Sequence, residues 1–134
     1  MEFKQEVPTT DGSRKTVMKT IAAFVSGQGG TVVFGVADDA EVVGIDATER
    51  DQLMFAVGAV VRSTIEPEPP CHLRTVEVRG KMVLLAEVTG GGRWYAVNPA
   101  KPEFYVRRGA STVRARVDEI VSGFSQQKVR TVLR

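Results

Sequence analysis

Between Val17 and Val36 the chain passes from an amphipathic helix through Gly27-Gln28-Gly29-Gly30 into a strand, and that order restricts what it can build. Val17, Ile21 and Phe24 recur at helical spacing, and Met18, Ala22 and Val25 widen the apolar stripe. Asp11 or Ser13 can cap the start, and the glycines stop the run. Thr31–Val36 is short, β-rich and apolar on both faces, which predicts a central strand. Phosphate-binding glycine loops run strand, loop, helix, so that helix N–H groups meet the phosphate. Here the order is reversed, and the carbonyl end of the helix dipole faces the turn. Neither G-x-x-x-x-G-K-(S/T) nor G-x-G-x-x-G occurs. The glycines read as a helix C-cap and tight turn.

The rest of the chain alternates short elements. Ala37-Asp38-Asp39-Ala40 is turn-like, with Glu41–Ile45 as a returning strand. Thr48-Glu49-Arg50-Asp51 has capping-box spacing ahead of a second helix. That helix buries Leu53, Val57, Val60, Val61 and Ile65 and is ended by Pro67, Pro69 and Pro70. Strands follow at Leu73–Arg79 and Met82–Val88, joined at Gly80-Lys81, then a glycine-rich loop or wide hairpin from Thr89 to Pro102. Phe104–Arg108 is a strand ending at Gly109, and Val117–Phe124 a short helix. The expected class is α+β, a mixed central sheet with about three helices, in one domain over 1–122 with a C-terminal tail or linker over 123–134. At 134 residues and 43% hydrophobic, the chain can bury a core without cross-links. Its single cysteine, Cys71, forms no intrachain disulfide, and no apolar run approaches the ~20 residues of a membrane span. With no signal-peptide pattern at the N-terminus, a cytoplasmic protein without a membrane partner is expected.

Charge is uneven. Residues 1–103 carry 11 Lys/Arg against 14 Asp/Glu, and residues 104–134 carry 7 against 2. A basic C-terminal end suits an acidic partner such as nucleic acid, and equally suits a solvated basic surface. Within it, Arg107, Arg108, Arg114 and Arg116 with Ser111 and Thr112 around Gly109 could converge on phosphate oxygens. The same residues also read as a basic hairpin followed by a capped helix. Trp94 and Tyr95 could stack on bases or plug the core. Asp38-Asp39 at the end of the central strand suits Mg²⁺ or Mn²⁺, and also suits a hairpin turn. Cys71 and His72 have no second Cys or His with which to hold zinc. His72 reads as a surface or strand-edge residue.

Several segments together resemble the Schlafen-type AlbA-like domain. They are Glu2-Phe3-Lys4, Ile21-Ala22-Ala23-Phe24 leading to Gly29-Gly30-Thr31, Val33–Asp39, Val42-Val43-Gly44-Ile45, Ile65-Glu66-Pro67 and Tyr105–Thr112. The resemblance implies nucleic-acid binding, DNA or RNA, in a basic groove between two lobes, the second of which a homodimer could supply. The expectation is therefore a binding module without catalysis or cofactor. Arg107, Arg108, Arg114 and Arg116 neutralise phosphates, Ser111 and Thr112 add hydrogen bonds, and Lys4, Lys15 and Lys19 serve the same groove. Four neutralised phosphates give a salt slope of about −3 to −4 on duplex. Some Schlafen proteins are Mg²⁺- or Mn²⁺-dependent ribonucleases with three carboxylates. Glu2 and Asp38, with Asp39 beside it, match two of these, and the third belongs upstream of Glu2. The alternatives are thus a nuclease with an incomplete acidic site, or a homodimerisation module.

Overall fold

The computed structural model describes residues 1–98 and 100–121. Helix α1, Asp11–Ser26, is opened by Thr10, whose hydroxyl accepts from the Ser13 N–H at 3.1 Å while the Ser13 hydroxyl accepts from the Thr10 N–H at 3.2 Å. This is a capping box one residue ahead of the expected caps, with Ser13 already helical. The helix ends where the Gly27 N–H turns back to the Phe24 carbonyl at 3.1 Å. A four-stranded sheet is ordered β1 (Glu2–Lys4), β2 (Gly29–Phe34), β5 (Lys81–Thr89), β4 (Cys71–Val78). Only the β1–β2 pair is parallel, so the sheet is mixed and the α+β class holds.

Strand alternation divides the apolar residues between two faces. Val32, Phe34, Leu84, Ala86 and Val88 join Val17, Ile21, Ala22 and Val25 of α1 in the main core. Helix α2, Arg50–Thr64, adds Val57 and Val61. Val33, Val36 and Val83, with Phe3, Val76 and Leu85 packed against them, form a smaller cluster of alternate residues. Two short pairs complete the fold: β3 (Ile65–Glu66) with β6 (Ala96–Val97), and the hairpin β7 (Tyr105–Arg108) with β8 (Ser111–Arg114).

The two glycine clusters meet. A Cβ on Gly29, at φ +87°, would lie 2.5 Å from the Val88 carbonyl oxygen, and one on Gly90 would lie 2.5 Å from that of Gly27. The Gly91 N–H then donates to the Val25 carbonyl at 2.7 Å. Close backbone approach, rather than a phosphate cradle, accounts for glycine at 29 and 90.

Local expectations fail where a few residues change the geometry. Glu41–Ile45 is not a strand. Val42 makes one bridge to Val36, after which the Val43 and Gly44 N–H groups both donate to the Gly35 carbonyl at 2.9 Å. Thr48 caps nothing. Its hydroxyl donates to Asp46, which caps a 3₁₀ turn at Ala47–Glu49 leading into α2. Ile65 is buried in β3 rather than in the helix. The β4–β5 turn falls on Arg79 and Gly80, both at positive φ, one residue earlier than the sequence suggests. β8 is not recognisable as an element in the sequence, because four residues with one apolar side chain among three polar ones give no period. His72 is exposed on the edge strand β4. Residues 117–121 are helical, and the remainder of the expected Val117–Phe124 helix and the 123–134 tail lie outside the described residues.

Candidate nucleic-acid interface

Glu2, Lys15, Lys19, Arg107, Thr112 and Arg114, all singled out in the sequence, come together where α1, β1 and the β7–β8 hairpin meet. Tyr105 and Arg107 are two apart on β7 and therefore share one face. Tyr105 is buried in the main core, and the Arg107 guanidinium lies 4.9 Å from the centre of the Phe24 ring of α1. Arg107 Nη1 donates to Glu2 Oε2 at 2.9 Å and to the Thr112 hydroxyl at 2.8 Å. Thr112 donates in turn to the Thr20 hydroxyl at 3.3 Å, and Thr20 to the Thr16 carbonyl at 3.2 Å. The Arg107 and Glu2 side chains are only 14% and 25% exposed. Charge-assisted bonding at that depth fixes the arginine and compensates its charge.

A second cluster surrounds Glu103. Its carboxylate accepts from the Tyr105 hydroxyl at 3.2 Å and lies 3.7 Å from Lys15 Nζ and 3.8 Å from Arg114 Nη1. Lys19 sits over the Tyr105 ring at 5.3 Å. Burial pushes the Glu103 carboxyl up, but Lys15, the Tyr105 hydroxyl, Arg114 and Lys19 together hold it below the ordinary carboxylate range. Burial and Glu103 push the Tyr105 hydroxyl up. At the far end Arg108 pairs with Glu119, Arg116 Nε lies 3.3 Å from Asp118, and the Arg116 N–H donates to Glu119 at 3.1 Å. Ser111 is exposed on the hairpin opposite Arg108. Lys4 stands apart: its carbonyl accepts from Gly35 and Val36, and its side chain makes no ion pair among the described residues.

The carboxylates expected to act together are not gathered. Asp38 and Asp39 are exposed in a turn where Asp39 Oδ1 accepts from the Glu41 N–H at 3.0 Å. Glu2 faces Arg107 instead. Among the described residues no three of His, Cys, Asp and Glu come together as they would around a metal ion. Sequence reasoning missed Glu103, Phe24 and Thr20 as members of the interface. Thr16 and Thr20, four apart on the edge of the apolar stripe, were the available signal for the hydroxyl relay; Glu103 gave none. Trp94 packs edge-on against Phe104 at 5.8 Å.

Beside Arg107 a cleft of about 480 Å³ opens between the C-terminal turn of α1 and the hairpin. Phe24, Gly27, Gly29, Arg107 and Gly109 line it.

Residues 1–116 match the family model described as Schlafen, AlbA_2. The chain belongs to that family. The match to the AlbA_2 domain takes in every strand from β1 to β8 and both clusters, and stops short of Asp118 and Glu119. The fold is also that of solved structures at low identity. The DIP2311 protein of Corynebacterium diphtheriae superposes with a TM-score of 0.64 at 16% identity over 85% of this chain. The N-terminal domain of a Nitrosomonas europaea protein related to the ATP-dependent DNA helicase RecG gives 0.51 at 21% identity over 66%. This chain spans 21% of the first and 61% of the second. No curated protein sequence matches it.

Proposed function

We propose that this AlbA_2 domain is a non-catalytic nucleic-acid-binding module whose phosphate-binding face is formed by α1 and the β7–β8 hairpin. The observation that carries the reading is the convergence of Lys15 and Arg114, from two separate elements, on the single carboxylate of Glu103, with Lys19 beside them over the Tyr105 ring. Arg108 and Arg116 extend this surface, and Ser111 adds an exposed hydroxyl. Membership of the AlbA_2 family and the likeness to a RecG-related DNA helicase domain support the same class of partner.

The geometry revises the electrostatics expected from the sequence. Six cations of the face, Lys15, Lys19, Arg107, Arg108, Arg114 and Arg116, are opposed by Glu2, Glu103, Asp118 and Glu119. If those pairs persist in the complex, about two phosphates are neutralised, and the salt slope on duplex is about −2 instead of −3 to −4. Fluorescence anisotropy of a labelled oligonucleotide between low and moderate salt measures it. A slope near zero, or no binding at low salt, overturns the reading. Mn²⁺-dependent RNA cleavage that disappears in Asp38→Ala would replace it with the nuclease.

A further inference from the structure

We propose that Arg107 and the cleft beside it form a pocket for an unpaired guanine base, so that Arg107 reads the strand while the lysines and the other arginines hold it. The proposal rests on the nucleic-acid reading above and assigns the chemistry of one part of the same surface.

Three features set Arg107 apart from its neighbours. Its charge is compensated by Glu2 at 2.9 Å, with both side chains largely buried. A phosphate arriving there would meet the Glu2 carboxylate, so Arg107 adds little to counterion release. Its position is fixed as well, by the Phe24 ring beneath and by Glu2 and Thr112 on Nη1. Nε and Nη2 make no hydrogen bond among the described residues, which leaves a pre-oriented donor edge. Arg114 and Arg116, by contrast, are 66% and 74% exposed with longer ion-pair distances of 3.8 and 3.3 Å.

The opposite wall has the complementary chemistry. It is the C-terminal turn of α1, where the dipole and the last carbonyls are negative. The Phe24 and Val25 carbonyls are taken by the Gly27 and Gly91 N–H groups, and the other two residues of that turn, Ala23 and Ser26, line the cleft. A phosphate or carboxylate is repelled by such a wall, whereas N–H donors are welcomed. The ligand must therefore carry acceptors for a guanidinium fork and, on an adjoining edge, donors for carbonyls. Guanine has both: O6 and N7 accept from an arginine fork, and N1–H and N2–H₂ donate. Adenine presents a donor where O6 stands, and thymine and cytosine lack N7. At about 480 Å³ the cleft falls within the range that holds a small ligand, and an unstacked base is what single-stranded recognition delivers.

The test uses the full chain and thymidine 12-mers carrying one central substitution. Anisotropy competition should show the strand with dG bound about tenfold more tightly than all-dT, and the dA and dC strands close to all-dT. With the wild-type protein, 7-deazaguanine, which lacks the N7 acceptor, should lose most of that preference; this arm needs no variant to fold. Arg107→Lys, which keeps a charge for Glu2 but not the fork, should abolish the preference for dG over all-dT. Arg114→Gln should weaken all four strands alike. The pocket is refuted if wild-type protein binds all four strands equally, if 7-deazaguanine keeps the full preference, or if Arg107→Lys keeps the preference for dG. Failure to bind any strand at low salt refutes the underlying nucleic-acid reading instead.

Discussion

Glu103 is the residue whose replacement most directly tests how the basic face works. A phosphate held between Lys15 and Arg114 would sit about 5 Å from the Glu103 carboxylate, where two unit charges repel by about 0.8 kcal/mol at the permittivity of water. Glu103→Gln removes that repulsion and should tighten binding roughly fourfold. The released cations should also steepen the salt slope on a single strand by about 0.7 for each additional phosphate neutralised. The fold should tolerate the change. Glutamine keeps an acceptor for the Tyr105 hydroxyl, and the ion pairs lost involve Lys15 and Arg114 side chains that are 54% and 66% exposed, worth less than about 1 kcal/mol. Anisotropy with an all-thymidine strand, whose bases do not titrate in mild acid, supplies the assay. The wild type should show the same gain as pH falls below the ordinary Glu value of 4.5, since its carboxyl is held low and protonates only there. The sign for stability is opposite: the stabilisation from the depressed carboxyl is present above 4.5 and is lost as pH falls through the folded-state value. Equal or weaker binding by Glu103→Gln, with an unchanged slope, would show that the carboxylate does not compete with phosphate.

Three further outcomes follow from the fold. Thr10→Ala removes one half of the capping box and should cost about 1 kcal/mol in denaturant unfolding. Gly29→Ala combines φ +87° with a Cβ 2.5 Å from the Val88 carbonyl oxygen, and should cost roughly 2–3 kcal/mol or more, far beyond ordinary helix or strand propensity. Burial pushes the Cys71 thiol from 9.0 up to about 11, so it should react with a thiol reagent at mildly alkaline pH about a hundredfold more slowly than an ordinary cysteine. The corresponding stabilisation is fully present below 9.0 and is lost as pH rises through 11, and Cys71→Ser should remove that alkaline dependence.

Elements with a sustained period could be read from the sequence, and those set by a single contact could not. The stripe Val17, Ile21, Phe24 specifies α1 because each residue enters one core, and Val57 and Val61 do the same for α2. Val32, Val33 and Phe34 mark a buried strand because apolar residues stand on both of its faces. Glu41–Ile45 has the composition of a strand and fails to be one because Gly35 and Gly44, at φ +105° and +80°, turn the backbone out of register. The Thr48 box loses to Asp46, whose carboxylate reaches both the N–H and the hydroxyl of Thr48 at 3.0 and 2.7 Å. The glycines at 27–30 are legible as the end of the helix, but the requirement at Gly29 comes from residues 88–90, some sixty positions away, and that at Gly30 from the Phe24 ring.

The same separation governs the candidate site. Counting charge along residues 104–134 gives an excess of five positive charges, and this treats each arginine as available to a ligand. The acids that answer two of those arginines lie outside that segment. Glu2 reaches Arg107 from β1, 105 residues away, and Glu103 meets Arg114 from just before β7. A local charge count therefore overstates the field at the surface and conceals differences among the arginines. Once each arginine is considered with its carboxylate, the pair distance and the exposure of the cation separate Arg107, at 2.9 Å and 14% exposed, from Arg114, at 3.8 Å and 66% exposed. Lys15 and Arg114 keep exposed charge at longer range from Glu103, with Lys19 beside them over the Tyr105 ring, and on the proposed reading a phosphate competes with that acid. Arg107 is itself buried and held close to Glu2, and retains only the directional hydrogen bonds of its outer edge. In the reading proposed above, the basic end of this chain holds two kinds of site in adjacent positions: one suited to any phosphodiester, the other to a ligand that can accept from a fixed guanidinium without bringing a negative charge.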